Sequence, residues 1–394
     1  MPPEETLQRL TPLLPIFGIT RIANVTGLDN VGIAVVIVCR PNSRSLSVSQ
    51  GKGTSLAAAK VSAIMESVEA WHAERITAPL RLAPRSQLVN EVDADVVDGD
   101  RLARVSVSRW DEHLRIPWIE GIDARTQGAC WVPYEMVHLD LTLPLPEGSG
   151  CFVLGSNGLA SGNTHLEATV HAVCELIERD AYAVWHHASL EERAVRRLDL
   201  DTVTDPVCAS LIGRLADAGL IVAVWDITTD VGVAAFHCTV LPRHTDMFRP
   251  LYPSSGLGCH PDRHVALARA LSEAAQSRLT RISSSRDDVP RSDYELTRNP
   301  DLIDEIRARL LLEQSARRLD DVPTFGAPTF AEDVGWILAQ LESAGFDRTV
   351  IVDLTHRSIG IPVVRAVVPG LEGKPTGPGY RPGARARAAS SLWR

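Results

Sequence analysis

The sequence is poor in the arrangements by which cysteine usually serves a fold or a metal. Its seven cysteines are Cys39, Cys130, Cys151, Cys174, Cys208, Cys238 and Cys259. Their number is odd and no two are spaced as CxxC, which argues against a zinc centre or a disulfide framework and for reduced thiols. Long apolar runs are absent too. The stretch from Val31 to Val38 is of strand length, far short of a membrane span. The N-terminus, MPPEETLQRL, carries acids where a secretory signal carries bases. A cytoplasmic protein without a membrane segment is expected. There is no basic excess: the formal net charge is −9, and the one basic cluster, Arg381, Arg385, Arg387 and Arg394, is short. An indiscriminate nucleic-acid footprint is therefore excluded. Familiar active-site spellings are missing as well. No HExxH and no GxSxG occurs, and the near-match to a P-loop at Gly51-Lys52-Gly53-Thr54 has Leu46 where the first glycine belongs and Gly53 where Ser or Thr must follow the lysine.

What the sequence does contain is one acidic helix pattern, written three times. From Thr54 to Glu74 the spacing predicts a helix in which Ala59, Ala63, Glu66 and Glu69 share a stripe, because steps of four and three return to one face. Val61, Ile64, Met65 and Val68 make its core side. The second copy is Ala168, Ala172, Glu175 and Glu178, and the third is Ala266, Ala270, Glu273 and Gln276. Each follows a glycine-bearing stretch, read as a loop: Ser49-Gln50-Gly51-Lys52-Gly53, then Asn157 to Thr164, then the segment with Gly256 and Gly258. Three copies of one pattern predict an internally repeated architecture.

Two glutamates opposite an apolar face are usually just the solvated side of an amphipathic helix. Here the stripe is shared with alanine, and of the four glutamates only Glu175 has a basic residue four positions on, Arg179. Four carboxylates gathered without partners repel unless a divalent cation neutralises them, and oxygen donors of this kind suit Mg²⁺ together with substrate phosphates. Arg179 beside Glu178, and Arg278 two residues after Gln276, could neutralise the charge of a transferring phosphoryl group or could be plain salt bridges. Both readings, solvated face and Mg–nucleotide site, remain open on spacing alone.

Around these helices the sequence predicts an α+β chain with mixed sheets and helices on their faces. Strands are expected at Thr20 to Val25, Ile33 to Cys39, Trp118 to Ile122, Ala129 to Pro133, Ile221 to Asp226, Gly232 to Leu241, Arg348 to Asp353 and Val363 to Val368. Helices are expected at Pro3 to Leu14, His264 to Ile282, Pro300 to Arg318 and Phe330 to Ala344. The proline-rich Leu141 to Gly150 marks a subdomain break within a domain of residues 1–370, and 371–394 reads as an extended Gly/Pro/Arg-rich tail.

The motifs SQGKG followed by SAIMESVE, then NGLASGNTHLEATVHAVCELIERD, then ALSEAAQSR, resemble the YcaO family, and GITRIANVTGLDNVGIAVV is similar to its TfuA-associated branch. The resemblance implies a YcaO-like fold and an ATP- and Mg²⁺-dependent enzyme. It would phosphorylate a peptide backbone amide oxygen and let a sulfur donor (thioamidation) or a Cys, Ser or Thr side chain (azoline formation) displace the phosphate. Carried over by motif position, it implies Glu66, Glu69, Glu175 and Glu178 as metal ligands, and Ser62, Asn163, Arg179, Gln276 and Arg278 as nucleotide contacts, with Arg179 and Arg278 catalytic. Azoline-forming members tend to end in PxPxP. Here Pro375, Pro378 and Pro382 lie upstream of a Ser391-Leu392-Trp393-Arg394 end, which tilts the expectation towards thioamidation. The expected partners are a precursor peptide or protein substrate and a TfuA-like activating protein, and a homodimer is compatible with the chain. The alternative is a non-catalytic accessory factor for a thiolation or methylthiolation enzyme.

Overall fold

The structure is a computed structural model, and it describes residues 1–91, 95–244, 253–286, 288, 291, 295, 299–376 and 379–391. Pro378 and Leu392-Trp393-Arg394 lie outside the described residues. In chain order the helices are α1 (Pro3–Leu10), α2 (Leu14–Phe17), α3 (Leu56–Ala73), α4 (Arg85–Glu91), α5 (His165–His187), α6 (Leu190–Val195), α7 (Pro206–Asp217), α8 (Arg263–Ser283), α9 (Pro300–Leu312), α10 (Phe330–Ser343) and α11 (Ala384–Ser391). The strands are β1 (Arg21–Asn24), β2 (Ala34–Cys39), β3 (Val48–Gly53), β4 (Leu80–Ala83), β5 (Asp95–Val96), β6 (Ile116–Asp123), β7 (Ala129–Pro133), β8 (Leu159–Ser161), β9 (Leu220–Asp226), β10 (Ala235–Pro242), β11 (Ser254–Cys259), β12 (Val350–Asp353) and β13 (Val363–Val367).

The chain divides into two compact units. The first comprises Met1–Ser67, Ser189–Thr228 and Ala234–Phe325; the second comprises Val68–Ala188, Thr229–Val233 and Gly326–Arg394. The Leu141 to Gly150 stretch falls inside the second unit.

The first unit holds two antiparallel three-stranded sheets, β1-β2-β3 and β11-β10-β9. The β-branched run of β2, AVVIVC, is buried through its middle, as a strand covered on both faces requires. Helix α8 packs on β11 and β10, and α7 packs on α8 and β9. Their shared core includes Ile33, Leu211, Val224, Phe236, Leu267 and Leu271. Helix starts follow side-chain chemistry: Asp205 caps α7 by accepting the Cys208 amide, with Pro206 behind it, and Asp262 caps α8 by accepting the His264 amide.

Two of the three glycine-bearing stretches are strands rather than loops, and the second keeps its glycines, Gly158 and Gly162, in the segments that flank β8. Gly51 lies inside β3, opposite Val36, and Gly256 lies inside β11, opposite Cys238. Each sits against the backbone of the helix that follows. A Cβ on Gly51 would overlap the Ala63 nitrogen and the Ala59 carbonyl, and one on Gly256 would overlap the Ala274 nitrogen and the Ala270 carbonyl. The alanines of the repeated pattern complete this fit: Ala59, Ala63, Ala266 and Ala270 are fully buried. The alanine half of the stripe is thus a close-packing surface for a strand, and these glycines make room for a helix rather than cradle an anion.

The second unit is built on a seven-stranded sheet of order β5-β7-β6-β12-β13-β8, with β4 also pairing with β6. The expected pair of Trp118 to Ile122 with Ala129 to Pro133 is present as antiparallel β6 and β7. Helix α5 packs on β13, β8, α10 and α11. Thr164 caps it by accepting the Glu167 amide. The repeated strand–helix unit recurs here as β8 and α5, with Ala168 and Ala172 fully buried.

The expected extended tail is partly helical. Its prolines and glycines all precede Ala384, leaving ARARAASS free of breakers. Arg385 of α11 donates to the buried Asp180 at 2.9 Å and also pairs with Asp230. The Glu372 carboxylate accepts from the amides of Gly383 and Ala386. These bonds anchor the tail to the face of α5 that holds Asp180.

Candidate active site

The functional residues expected from the sequence are found in both units. In the second unit, α5 projects Glu175, Glu178 and Arg179 together. The Arg179 guanidinium bridges both acids, at 3.2 Å to Glu175 and 2.8 Å to Glu178. The pairing at i and i+4 is the one the helix spacing predicts. Glu178 is buried, and Glu175 and Arg179 are partly shielded. Burial removes solvent screening, so this set is held more firmly than a surface ion pair.

The segment from Gly158 to Asn163, which contains β8, supplies donors to Glu175 and to two further acids. The Gly158 amide donates to Glu175 at 3.2 Å. Ser161 donates twice to Glu69 of α3, from its amide at 2.9 Å and its hydroxyl at 2.8 Å. Asn163 donates to Glu167 from its amide at 3.0 Å and its Nδ2 at 3.2 Å.

In the first unit, Glu66 accepts the Gln50 amide at 3.1 Å, and Gln276 donates its Nε2 to the Gln50 carbonyl at 3.1 Å. Thr280 donates a short bond to the Gln50 side chain. Glu66 and Gln276 are thus joined through β3. Glu273 forms an ion pair with Lys52 of the same strand. Arg278 donates its Nε to Asp29 at 2.6 Å. Ser62 is half-buried on α3, one turn before Glu66.

The glutamates supply the hard oxygen donors that Mg²⁺ takes. In this arrangement they hold backbone amides and Arg179, and among the described residues no group of three or more His, Cys, Asp or Glu side chains is closed around a metal position. Within the second unit, Glu69, Glu175 and Glu178 fit such a centre by their chemistry.

Several participants carried no obvious signal in the sequence. Asp29 reads as a turn residue, and Gln50 as part of a loop. Glu167 could have been found: Thr164 and Glu167 have the spacing of a capping box, although Glu167 turns back to Asn163 instead.

A family model described as YcaO cyclodehydratase, ATP- and Mg²⁺-binding, matches residues 50–372. A protein in the tfuA 3′ region of Rhizobium leguminosarum bv. trifolii is 38% identical over 375 residues, covering 94% of this chain and 87% of that protein. A protein of Methanothermobacter thermautotrophicus is 31% identical over 378 residues, covering 94% of each. Among solved structures, a YcaO from Methanopyrus kandleri bound with AMPPCP and Mg²⁺ superposes with a TM-score of 0.75 at 22% identity, over 98% of this chain and 95% of that one. A heterocyclase in complex with substrate and cofactor gives a TM-score of 0.76 at 23% identity. That match covers 95% of this chain, which spans about half (52%) of the heterocyclase chain. At such identities the structural likeness speaks for the fold. Among the described residues no helix is long and apolar enough to cross a membrane.

Proposed function

Since the chain belongs to the YcaO family, we propose that it activates a peptide backbone amide with ATP and replaces the amide oxygen by sulfur. The amide oxygen takes the terminal phosphoryl group of ATP and releases ADP. A sulfur donor then adds to the activated carbon, and phosphate leaves with the former amide oxygen, giving a thioamide. Azoline formation follows the same first step, with a neighbouring Cys, Ser or Thr side chain as nucleophile. The relative from the tfuA 3′ region supports a TfuA-like partner. The substrate is a precursor peptide or protein.

Glu69, Glu175 and Glu178 would hold Mg²⁺, and Glu66, three residues before Glu69 on α3, is the fourth carboxylate of the family pattern. Bound magnesium would neutralise phosphate charge as the phosphoryl group moves. Arg179 would turn from Glu175 and Glu178 to the phosphates, supplying a bidentate donor where negative charge develops. Asn163, buttressed by Glu167, and Arg278, buttressed by Asp29, would orient the nucleotide, and Gln276 and Ser62 are further nucleotide contacts of the family pattern. Orientation matters because catalysis of phosphoryl transfer is mostly positioning and charge neutralisation.

The observation that carries this reading is the Arg179 bridge between two shielded glutamates, within the span that the family model matches. The test is calorimetric titration of Mg–ATP into the chain and into Glu178→Gln. Binding by the native chain, weakened at least tenfold by the substitution, supports the site. Equal binding by both overturns it. Product mass after incubation with a precursor peptide, sulfide and the TfuA-like partner then separates oxygen-to-sulfur exchange from loss of water.

A further inference from the structure

Arg365 is buried where an arginine is costly. It lies at the centre of β13, paired with Val352 of β12 on one side and Leu159 of β8 on the other. Its side chain is only 2% exposed. Its Nε and Nη1 have no hydrogen-bond partner among the described residues. Buried donors are nearly always bonded, and a buried charge lacking a bonded partner is strongly unfavourable. A methionine of similar length would suit an apolar sheet interior better. The sequence nevertheless places a guanidinium here.

The acid whose charge acts on it is Glu175, while burial pulls its pKa down to about 10. A short backbone path joins the two residues. The amide of Ala366, next to Arg365, donates to the Gly158 carbonyl at 2.8 Å, and the Gly158 amide donates to Glu175. Glu175 is therefore subject to two cations of different kinds. Arg179 reaches it along the helix surface and is partly exposed. Arg365 acts on it from a buried position in the middle strand of its sheet segment.

We propose that Arg365 is a positioning residue for the nucleotide site, a fixed buried cation that holds Glu175 in place when Arg179 turns away to bind phosphate. The proposal rests on the functional reading above. In the structure Arg179 is tied to both Glu175 and Glu178. Its transfer to a phosphate leaves two neighbouring carboxylates on one helix facing each other. The bound metal offsets part of that repulsion, and the positive charge of Arg365 offsets more of it from the protein side. Without Arg365, Arg179 stays on its glutamates and the nucleotide loses its donor. A guanidinium kept for this purpose lowers fold stability, which is the trade-off expected of a functional residue.

The test compares the native chain, Arg365→Met and Arg365→Lys by Mg–ATP calorimetry and by thermal melting. We expect Arg365→Met to melt at the same or a higher temperature and to bind Mg–ATP at least tenfold more weakly. Arg365→Lys, which keeps the charge, should bind within threefold of the native chain. Unchanged binding by Arg365→Met overturns the proposal while leaving the nucleotide site intact. A lower melting temperature in Arg365→Met, with weak binding that lysine does not restore, makes the role structural and also overturns it. Absence of binding by the native chain overturns the functional reading, and this proposal with it.

Discussion

Asp29 accepts the Nε proton of Arg278 at 2.6 Å, and both side chains are almost shut off from solvent, at 4% and 10% exposure. A turn residue near the start of the chain thus governs the arginine of the third acidic helix. The pair fixes the direction of a guanidinium proposed to contact nucleotide.

Removing one partner from a buried ion pair leaves the other desolvated and unpaired. Asp29→Ala should therefore lower unfolding free energy by about 3 kcal/mol. Mg–ATP affinity should fall as well, because Arg278 loses its orientation. Urea unfolding and calorimetry measure the two effects, and native-like values in both would show that the pair neither stabilises nor positions.

The strand glycines make a second prediction. Gly51→Ala and Gly256→Ala each drive a methyl into helix backbone, which cannot give way as a flexible side chain would. Overpacking of this kind costs about 1–3 kcal/mol. Gly27→Ala is the control, since nothing lies within 4 Å of its added Cβ. Denaturant midpoints should drop for the first two and hold for the third. Equal midpoints for all three would refute the close-packing role.

Acid should weaken the fold through His72. Burial is the main reason its pKa falls from 6.5 to about 4, although its ring bonds the Val68 carbonyl at 2.7 Å and Asp353 opposes the shift. The unfolded chain therefore binds a proton that the folded chain refuses between those values. The stability is fully present above pH 6.5 and is lost as pH falls towards 4. The shift corresponds to about 3 kcal/mol. His72→Gln should flatten stability against pH in that window, and an unaltered slope in urea titrations at pH 7 and pH 4.5 would rule the histidine out.

The sequence by itself determined the three copies of the acidic helix, the mixed α+β class and the family. These rest on local periodicity and on motif spellings that need no distant residue. The i, i+4 bridge of Arg179 to Glu175 was legible for the same reason, since one helix supplies both ends. Only the tertiary structure decided what the glycines are for, because the atoms that exclude a Cβ at Gly256 belong to a helix turn more than a dozen residues away. It also decided the partner of Arg278, which lies 249 residues from it in the chain. The same holds for Arg365: in a run of valines its side chain looks like any strand residue, and only packing beneath α5 brings its charge to bear on Glu175. Spacing encodes contacts within one element, while contacts between elements follow from burial, which the whole sheet and its covering helices settle together.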